Sequence, residues 1–226
     1  MKKIICLFLC CILLLGLTAC AHEPSGEGDA RGKLNIICTI FPQYDWTRQI
    51  LGNEAENPEL TMLLDNGVDL HSYQPTADDI VKVSGCDLFI YVGGESDAWV
   101  DDALKEAVNK NMIVLNLMDI LGERAKAEET VEGMQAEEEE GEAGEEPEYD
   151  EHVWLSLRNA SVFCDAIAGA LATLDPGNAE TYRANCEAYI EKLGALDAGY
   201  ESAVQNAKLK TVLFADRFPF RYLADD

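Results

Sequence analysis

The stretch that decides the predicted fold is Cys86-Asp87-Leu88-Phe89-Ile90-Tyr91-Val92. Such a nearly continuous apolar run is typical of a strand that other elements cover on both faces, as in a parallel sheet. The same reasoning predicts three further strands and three helices around it. The strands are Leu34–Ile40, Glu59–Leu64 and Met112–Leu117, and the helices are Tyr44–Leu51, Thr76–Val83 and Ala98–Asn109. Strands that alternate with short helices predict an α/β lobe built on a parallel sheet with right-handed crossovers.

The composition restricts the class of partner. The chain has 226 residues, enough for one or two domains of roughly 100 to 200 residues each. It carries 17 basic and 42 acidic residues, which gives a formal net charge of -25 at pH 7. This charge repels nucleic acid phosphates and attracts cations, so a nucleic-acid partner is excluded.

The amino terminus has the features of an export signal. Lys2 and Lys3 precede the apolar run Ile4–Leu17, which is shorter than the roughly 20 residues that a membrane-spanning helix needs. The sequence Leu17-Thr18-Ala19-Cys20 resembles the lipobox of bacterial lipoproteins, although an ordinary secretory signal is the alternative. We therefore expect a signal peptide at 1–19, a lipid on Cys20 that anchors the protein extracytoplasmically to the bacterial membrane, and a polar tether at 20–33.

Export to an oxidising compartment leaves two possibilities for the four cysteines of the mature domain. They either form disulfides or remain buried free thiols. These cysteines are Cys38, Cys86, Cys164 and Cys186.

Two of the three histidines lie in predicted loops next to helix starts. His71 follows the strand Glu59–Leu64 and precedes a helix start at Thr76, so it lies at the sheet edge where open α/β folds bind ligands. His152 precedes a helix that Ser156 or Asn159 caps and that runs to about Leu174. His22 belongs to the tether and is expected to be inert.

A carboxylate-rich insert separates the two histidines. From 119 to 151 the hydrophobic periodicity disappears, and the segment includes the run Glu137-Glu138-Glu139-Glu140. A segment of this composition cannot bury apolar area, so we expect a mobile loop. It either keeps the protein soluble or raises the local concentration of cations.

The last part of the chain predicts a long helix and the start of a second lobe. Apolar residues at alternating spacings of four and three, from Tyr182 to Ala203, predict that the helix Ala179–Val204 packs along one continuous seam. Leu209–Ala215 is predicted to be a strand. The predicted organisation is thus a lobe at 34–176, a linking helix at 177–206, and the start of a second lobe, mostly missing, at 207–226.

Taken together, these motifs resemble the substrate-binding lipoproteins of zinc and manganese ABC transporters, over essentially the whole chain. The matching segments are the lipobox, Gly67-Val68-Asp69-Leu70-His71-Ser72-Tyr73-Gln74-Pro75-Thr76, Gly93-Gly94-Glu95 with Trp99, the charged insert, Asp150-Glu151-His152-Val153-Trp154-Leu155-Ser156, Asp175-Pro176-Gly177-Asn178, and Phe214-Ala215-Asp216-Arg217-Phe218-Pro219-Phe220.

The resemblance implies one Zn(II) ion, or Mn(II), held between two lobes and delivered to a membrane permease of the ABC type. It assigns His71 and His152 as ligands. The third ligand of the family is commonly a histidine near Ala215, so Asp216 is the candidate here, and the fourth is a carboxylate beyond residue 226. The insert departs from the zinc-binding members because it carries glutamates and no histidine. We expect the protein to act as a monomer.

Two other functions are considered beside metal delivery. A zinc hydrolase is disfavoured because the sequence has no His-Glu-x-x-His motif, no Gly-x-Ser-x-Gly elbow and no glycine-rich phosphate loop. We therefore expect no enzymatic activity. A surface adhesin, with the acidic insert as its contact surface, is the other alternative, and it is compatible with metal delivery.

The histidine ligands predict that metal affinity depends on pH. An imidazole must lose its proton to bind a metal, so we expect the affinity to weaken as pH falls through about 6, near the ordinary histidine pKa. Calorimetric titration with zinc at pH 5 and pH 7.5 checks this. Equal affinity at the two pH values would contradict the histidine assignment.

Overall fold

The computed structural model describes residues 33–53, 58–65, 67–128, 149–214 and 218–226. Within these residues, four strands form one sheet in the order β2-β1-β3-β4, and every pairing is parallel. The strands are β1 Asn35–Cys38, β2 Glu59–Met62, β3 Leu88–Tyr91 and β4 Ile113–Asn116. The predicted α/β class with a parallel sheet is confirmed.

The helices alternate with the strands and then continue beyond the sheet. They are α1 Phe41–Leu51, α2 Ala77–Gly85, α3 Trp99–Lys105, α4 Leu117–Leu121, α5 Leu157–Leu174, α6 Ala179–Asn206 and α7 Arg221–Asp225. Short 3-10 turns lie at Leu70–Ser72, Glu95–Asp97, Gly122–Arg124, Val153–Leu155 and Pro176–Asn178. Among the residues that the model describes, no helix combines the length and the apolar character needed to cross a membrane.

All four residues of β3 are buried because helices cover the sheet on both faces. Leu88 and Ile90 point into a core cluster that includes Phe163 of α5. Phe89 points to the opposite face, where it packs in a second cluster with Val83 of α2. This alternation of faces along one strand explains why the β3 sequence is apolar at every position.

The four cysteines of the domain are buried free thiols, which decides between the two alternatives left by the sequence. Burial raises the pKa of the Cys38, Cys86 and Cys186 thiols to about 12 and also raises that of Cys164. These thiols are therefore protonated and unreactive at neutral pH.

The long helix is present, but its predicted continuous seam is wrong beyond Leu193. Helix α6 has 28 residues and a length of about 42 Å. Tyr182 and Leu193 are buried, whereas Leu196 is 51% exposed and Tyr200 is 50% exposed. Beyond Leu193, α6 meets the start of α5 through polar contacts, because Arg158 of α5 pairs with Asp197 and Glu201 of α6.

The strand predicted at Leu209–Ala215 is also wrong for the part that the model describes. Residues 207–214 form neither strand nor helix, and Leu213 is 92% exposed. A strand needs a partner strand for its backbone N–H and C=O groups, and none of the described strands lies beside this segment. The strand was predicted from the apolar residues of this segment alone, and that pattern does not show whether a partner strand is present.

The acidic insert, predicted at 119–151, has more regular structure near its two ends than the sequence predicts. Helix α4 and the turn Gly122–Arg124 continue past residue 119, and Ala127 pairs with Tyr149 in an antiparallel bridge. The prediction of a mobile loop from 119 onwards is therefore wrong for 119–124, which are helical. Residues 129–148 lie outside the described part, and the domain boundaries stay a prediction.

The turn after β3 is held by a buried carboxylate. Gly93 and Gly94 have φ angles of 91° and 80°, a region that favours glycine. Asp97 accepts hydrogen bonds from the backbone N–H groups of Val92 at 2.9 Å and Gly93 at 3.0 Å. Burial raises the pKa of Asp97 to about 6, and the nearby charge of Glu151 also raises it. The turn is thus fixed by a group that is costly to ionise.

We expect Asp97→Asn to change the pH dependence of the free energy of unfolding. The folded-state pKa of about 6 lies above the ordinary value of 3.8, so the stability that Asp97 contributes is complete below pH 3.8 and is lost as pH rises through 6. The difference in the free energy of unfolding, wild type minus variant, should fall by on the order of 3 kcal/mol between pH 4 and pH 7. Urea unfolding of both proteins measures this difference.

The control for Asp97→Asn is the same substitution at the exposed Asp101 of α3. The free energy of unfolding of Asp101→Asn should differ from that of the wild type by a small and nearly constant amount over this pH range. A constant difference for Asp97→Asn as well would contradict the prediction.

Candidate metal centre

The two histidines of the predicted loops lie together at the carboxyl edge of the sheet. His71 is in the turn Leu70–Ser72 that follows β2, and His152 directly precedes the turn Val153–Leu155. They are 81 positions apart in the chain, yet their Nε2 atoms are 3.4 Å apart and their ring centroids 5.3 Å apart.

This spacing fits two ligands of one tetrahedral metal ion. Zinc–imidazole bonds are about 2.0 to 2.1 Å long, and two nitrogens at a tetrahedral angle are then about 3.3 to 3.4 Å apart. The observed separation of 3.4 Å between the Nε2 atoms falls in this range. The distance between the two Nε2 atoms is therefore compatible with a shared ion.

The other ring nitrogen of each histidine has a hydrogen-bond partner. Asp150 Oδ1 lies 2.9 Å from His152 Nδ1, and Ser96 Oγ lies 3.1 Å from His71 Nδ1. An ionised carboxylate can only accept, so in neutral His152 the hydrogen is on Nδ1 and the lone pair is on Nε2. This arrangement of carboxylate, histidine and metal is common in metal sites because it orients the ring and increases its basicity.

The backbone of each histidine is fixed by a carboxylate two residues earlier. Asp69 Oδ1 accepts from the N–H of His71 at 3.0 Å, and Asp150 Oδ1 accepts from the N–H of His152 at 2.8 Å. The repeated Asp-x-His pattern was the signal in the sequence that could have identified Asp150 as a partner of His152. Asp150 was noted in the sequence only as part of the matching segment Asp150–Ser156 and was given no role.

The turn after β3 joins the two histidine loops. Ser96 contacts His71 through its hydroxyl, and its N–H donates to Glu151 Oε1 at 2.9 Å. Glu151 is 7% exposed, and its Oε2 has no hydrogen-bond partner among the described residues. A Cβ atom at Gly94 would lie 2.2 Å from Glu151 Oε1, so this position requires glycine. Ser96 and Glu151 were not predicted as site residues.

Both histidines line an open cavity of about 420 Å³. Most of the other lining residues are apolar, and they come from the start of α1 and the residue before it, from the loop that follows β2, from the turn after His152, and from Pro219. The two imidazoles are thus polar groups in an otherwise mostly apolar wall, and His71 is exposed to solvent.

The other predicted site residues cannot be placed. Asp216, the candidate third ligand, and Cys20 both lie outside the described residues, since the structure does not describe 1–32 or 215–217. Among the residues that are described, no group of three or more histidine, cysteine, aspartate or glutamate side chains is arranged to hold a metal ion. The described residues thus supply two candidate metal-binding atoms, Nε2 of His71 and Nε2 of His152.

Curated relatives share most of this sequence. The chain is 35% identical over 227 residues to the zinc-binding lipoprotein AdcA of Streptococcus pneumoniae. The match covers 100% of this chain and 42% of AdcA. It is 34% identical to the metal ABC transporter substrate-binding lipoprotein ScbA of Streptococcus cristatus, over 87% of this chain and 60% of ScbA. The chain therefore spans less than half of the length of AdcA.

Solved structures share the fold. The Zn(II)-bound crystal structure of AdcA from Streptococcus pneumoniae matches with a TM-score of 0.66 and 29% identity, over 85% of this chain and 37% of that one. A family model described as ZnuA, zinc-uptake complex component A, periplasmic, matches residues 36–226. The predicted resemblance is confirmed, and the chain belongs to the ZnuA family of zinc-uptake components.

Proposed function

We propose that this protein captures Zn(II) outside the cytoplasm and delivers it to an ABC permease, with His71 and His152 as two of the metal ligands. The observation that carries the proposal is the 3.4 Å separation of the two Nε2 atoms. Support also comes from the relatives, which are named as zinc-binding and metal-transporter lipoproteins. Zinc is the transported substrate in this proposal.

The donor set favours zinc over manganese. Imidazole nitrogens suit Zn(II), whereas Mn(II) prefers carboxylate, carbonyl and water oxygens. Two histidines fill two of the four positions of a tetrahedral ion, and Asp216 is proposed for a third. The formal charge of -25 raises the local concentration of cations around the protein. Manganese binding by the same site is the alternative.

Attachment to the membrane is part of the proposal. A lipid on Cys20 would hold the domain at the outer face of the cell membrane, within reach of a permease. The relatives AdcA and ScbA are named as lipoproteins, which supports this location.

The rival functions have weaker support. The family consists of transport components, and the sequence has none of the hydrolase motifs named above, which disfavours a hydrolase. The adhesin hypothesis relied on the acidic insert, and Glu137–Glu148 lie outside the described residues. It stays a prediction.

Substituting either ligand should abolish tight zinc binding. We expect His71→Ala and His152→Ala each to weaken zinc affinity by more than about 100-fold, because loss of even a residue that only supports a ligand costs about 10- to 100-fold. Competition titration against a zinc chelator at pH 7.5 measures the affinity. His22→Ala is the matched control and should bind zinc like the wild type. Wild-type affinity in both ligand variants would refute the proposed function.

Removing the charge next to His152 should weaken zinc affinity less than substituting either histidine does. We expect Asp150→Asn to weaken zinc affinity by about 10- to 100-fold, because a neutral amide stabilises the metal-bound imidazole less than a carboxylate does. Asp102→Asn, a charge removal at the exposed surface of α3, should leave the affinity unchanged. Equal affinities for the two variants would show that Asp150 does not support the ligand.

A further inference from the structure

The two ends of the acidic insert form a short antiparallel neck, which consists of residues 126–127 and 149–150. Ala127 and Tyr149 are bridge partners. The N–H of Asp150 donates to the carbonyl oxygen of Lys126 at 2.8 Å. The neck ends two residues before His152, so its position determines where the second histidine loop begins.

The hydroxyl of Tyr222 bonds to both sides of this neck. It accepts a hydrogen bond from the N–H of Lys126 at 2.9 Å and donates one to the carbonyl oxygen of Asp150 at 2.9 Å. Tyr222 is 2% exposed, and burial raises its pKa, so the hydroxyl keeps its proton and remains a donor at neutral pH. One buried hydroxyl thus connects two backbone segments.

Other residues of the same carboxyl-terminal segment strengthen this docking. Asp225 of α7 forms an ion pair with Lys126. Asp226 Oδ2 accepts a hydrogen bond from Ser156 Oγ at 2.6 Å, and Ser156 is the residue that caps α5. Helix α7 therefore contacts the neck and the start of α5, on either side of His152 in the chain.

A chain of contacts leads from Tyr222 to the metal-binding nitrogen. Tyr222 holds the carbonyl group of Asp150, and the carboxylate of Asp150 holds both the N–H and the Nδ1 of His152. We propose that Tyr222 is a positioning residue that orients His152 for metal binding through Asp150. This inference rests on the proposed zinc function.

The proposal couples the docking of α7 to metal binding. If the docked helix orients Nε2 of His152, bound zinc must in turn stabilise the docked helix, because coupling between two binding events is reciprocal. Zinc should therefore slow hydrogen exchange at the N–H of Lys126, which bonds to the Tyr222 hydroxyl, in the wild-type protein.

The test is Tyr222→Phe in the full-length protein, which removes the hydroxyl and keeps the ring. Tyr200→Phe is the matched control, since Tyr200 is half exposed on α6. We expect Tyr222→Phe to weaken zinc affinity by about tenfold, as for other residues that support a metal ligand. We also expect it to shift the visible absorption of bound Co(II), whose spectrum reports ligand geometry. Tyr200→Phe should change neither.

The outcomes separate this inference from the proposed function. If His152→Ala loses zinc while Tyr222→Phe retains wild-type affinity and the wild-type Co(II) spectrum, the inference is wrong and the function stands. If His152→Ala binds zinc like the wild type, the function and the inference both fail. Hydrogen exchange at Lys126 in the wild type needs no substitution, and an exchange rate unaffected by zinc would overturn the inference even if Tyr222→Phe did not fold.

Discussion

The hydrogen bond between the Asp150 carboxylate and Nδ1 of His152 is the interaction on which the candidate site depends. It fixes the tautomer of the imidazole, and the same oxygen fixes the backbone of His152. Without it the ring can rotate, and either nitrogen can carry the proton. With it, Nε2 is held 3.4 Å from Nε2 of His71 with its lone pair available. A single carboxylate thus turns a loop histidine into a pre-oriented candidate ligand.

The parallel sheet provides the place where these loops meet. The carboxyl ends of β2 and β3 lie at the same edge, so the His71 turn and the Ser96 turn are neighbours, and Ser96 can contact both His71 and Glu151. This proximity has an energetic cost, because Asp97 and Glu151 are buried carboxylates. The pKa of Asp97, raised to about 6, reflects the penalty for burying its charge.

The helices beyond the sheet connect the site to the rest of the chain. Helix α6 packs against α5, and Arg158 at the start of α5 is paired with Asp197 and Glu201 of α6. Helix α7 then returns to the neck of the acidic insert, where Tyr222 meets Asp150. The second histidine is therefore held by segments that lie both before and after it in the chain.

The parallel sheet, the location of both histidines in loops and the family could all be predicted from the sequence. These features follow from local patterns: apolar runs such as β3 bury both faces of a strand, and strand–helix alternation leaves only parallel crossovers. Local patterns failed where packing decides. Leu196 has the spacing of a buried residue but is 51% exposed, in a part of α6 that contacts α5 through ion pairs of Arg158. The apolar stretch at Leu209–Phe214 has no described strand beside it.

The contacts that support the two histidines became visible only in the folded chain. Ser96 reaches His71 across 25 positions, and Tyr222 reaches Asp150 across 72. Such pairs leave no trace in periodicity or spacing, because a hydrogen bond depends on distances of about 3 Å between atoms that the folded backbone brings together. The sequence named the chemical groups, and the fold placed them at bonding distance.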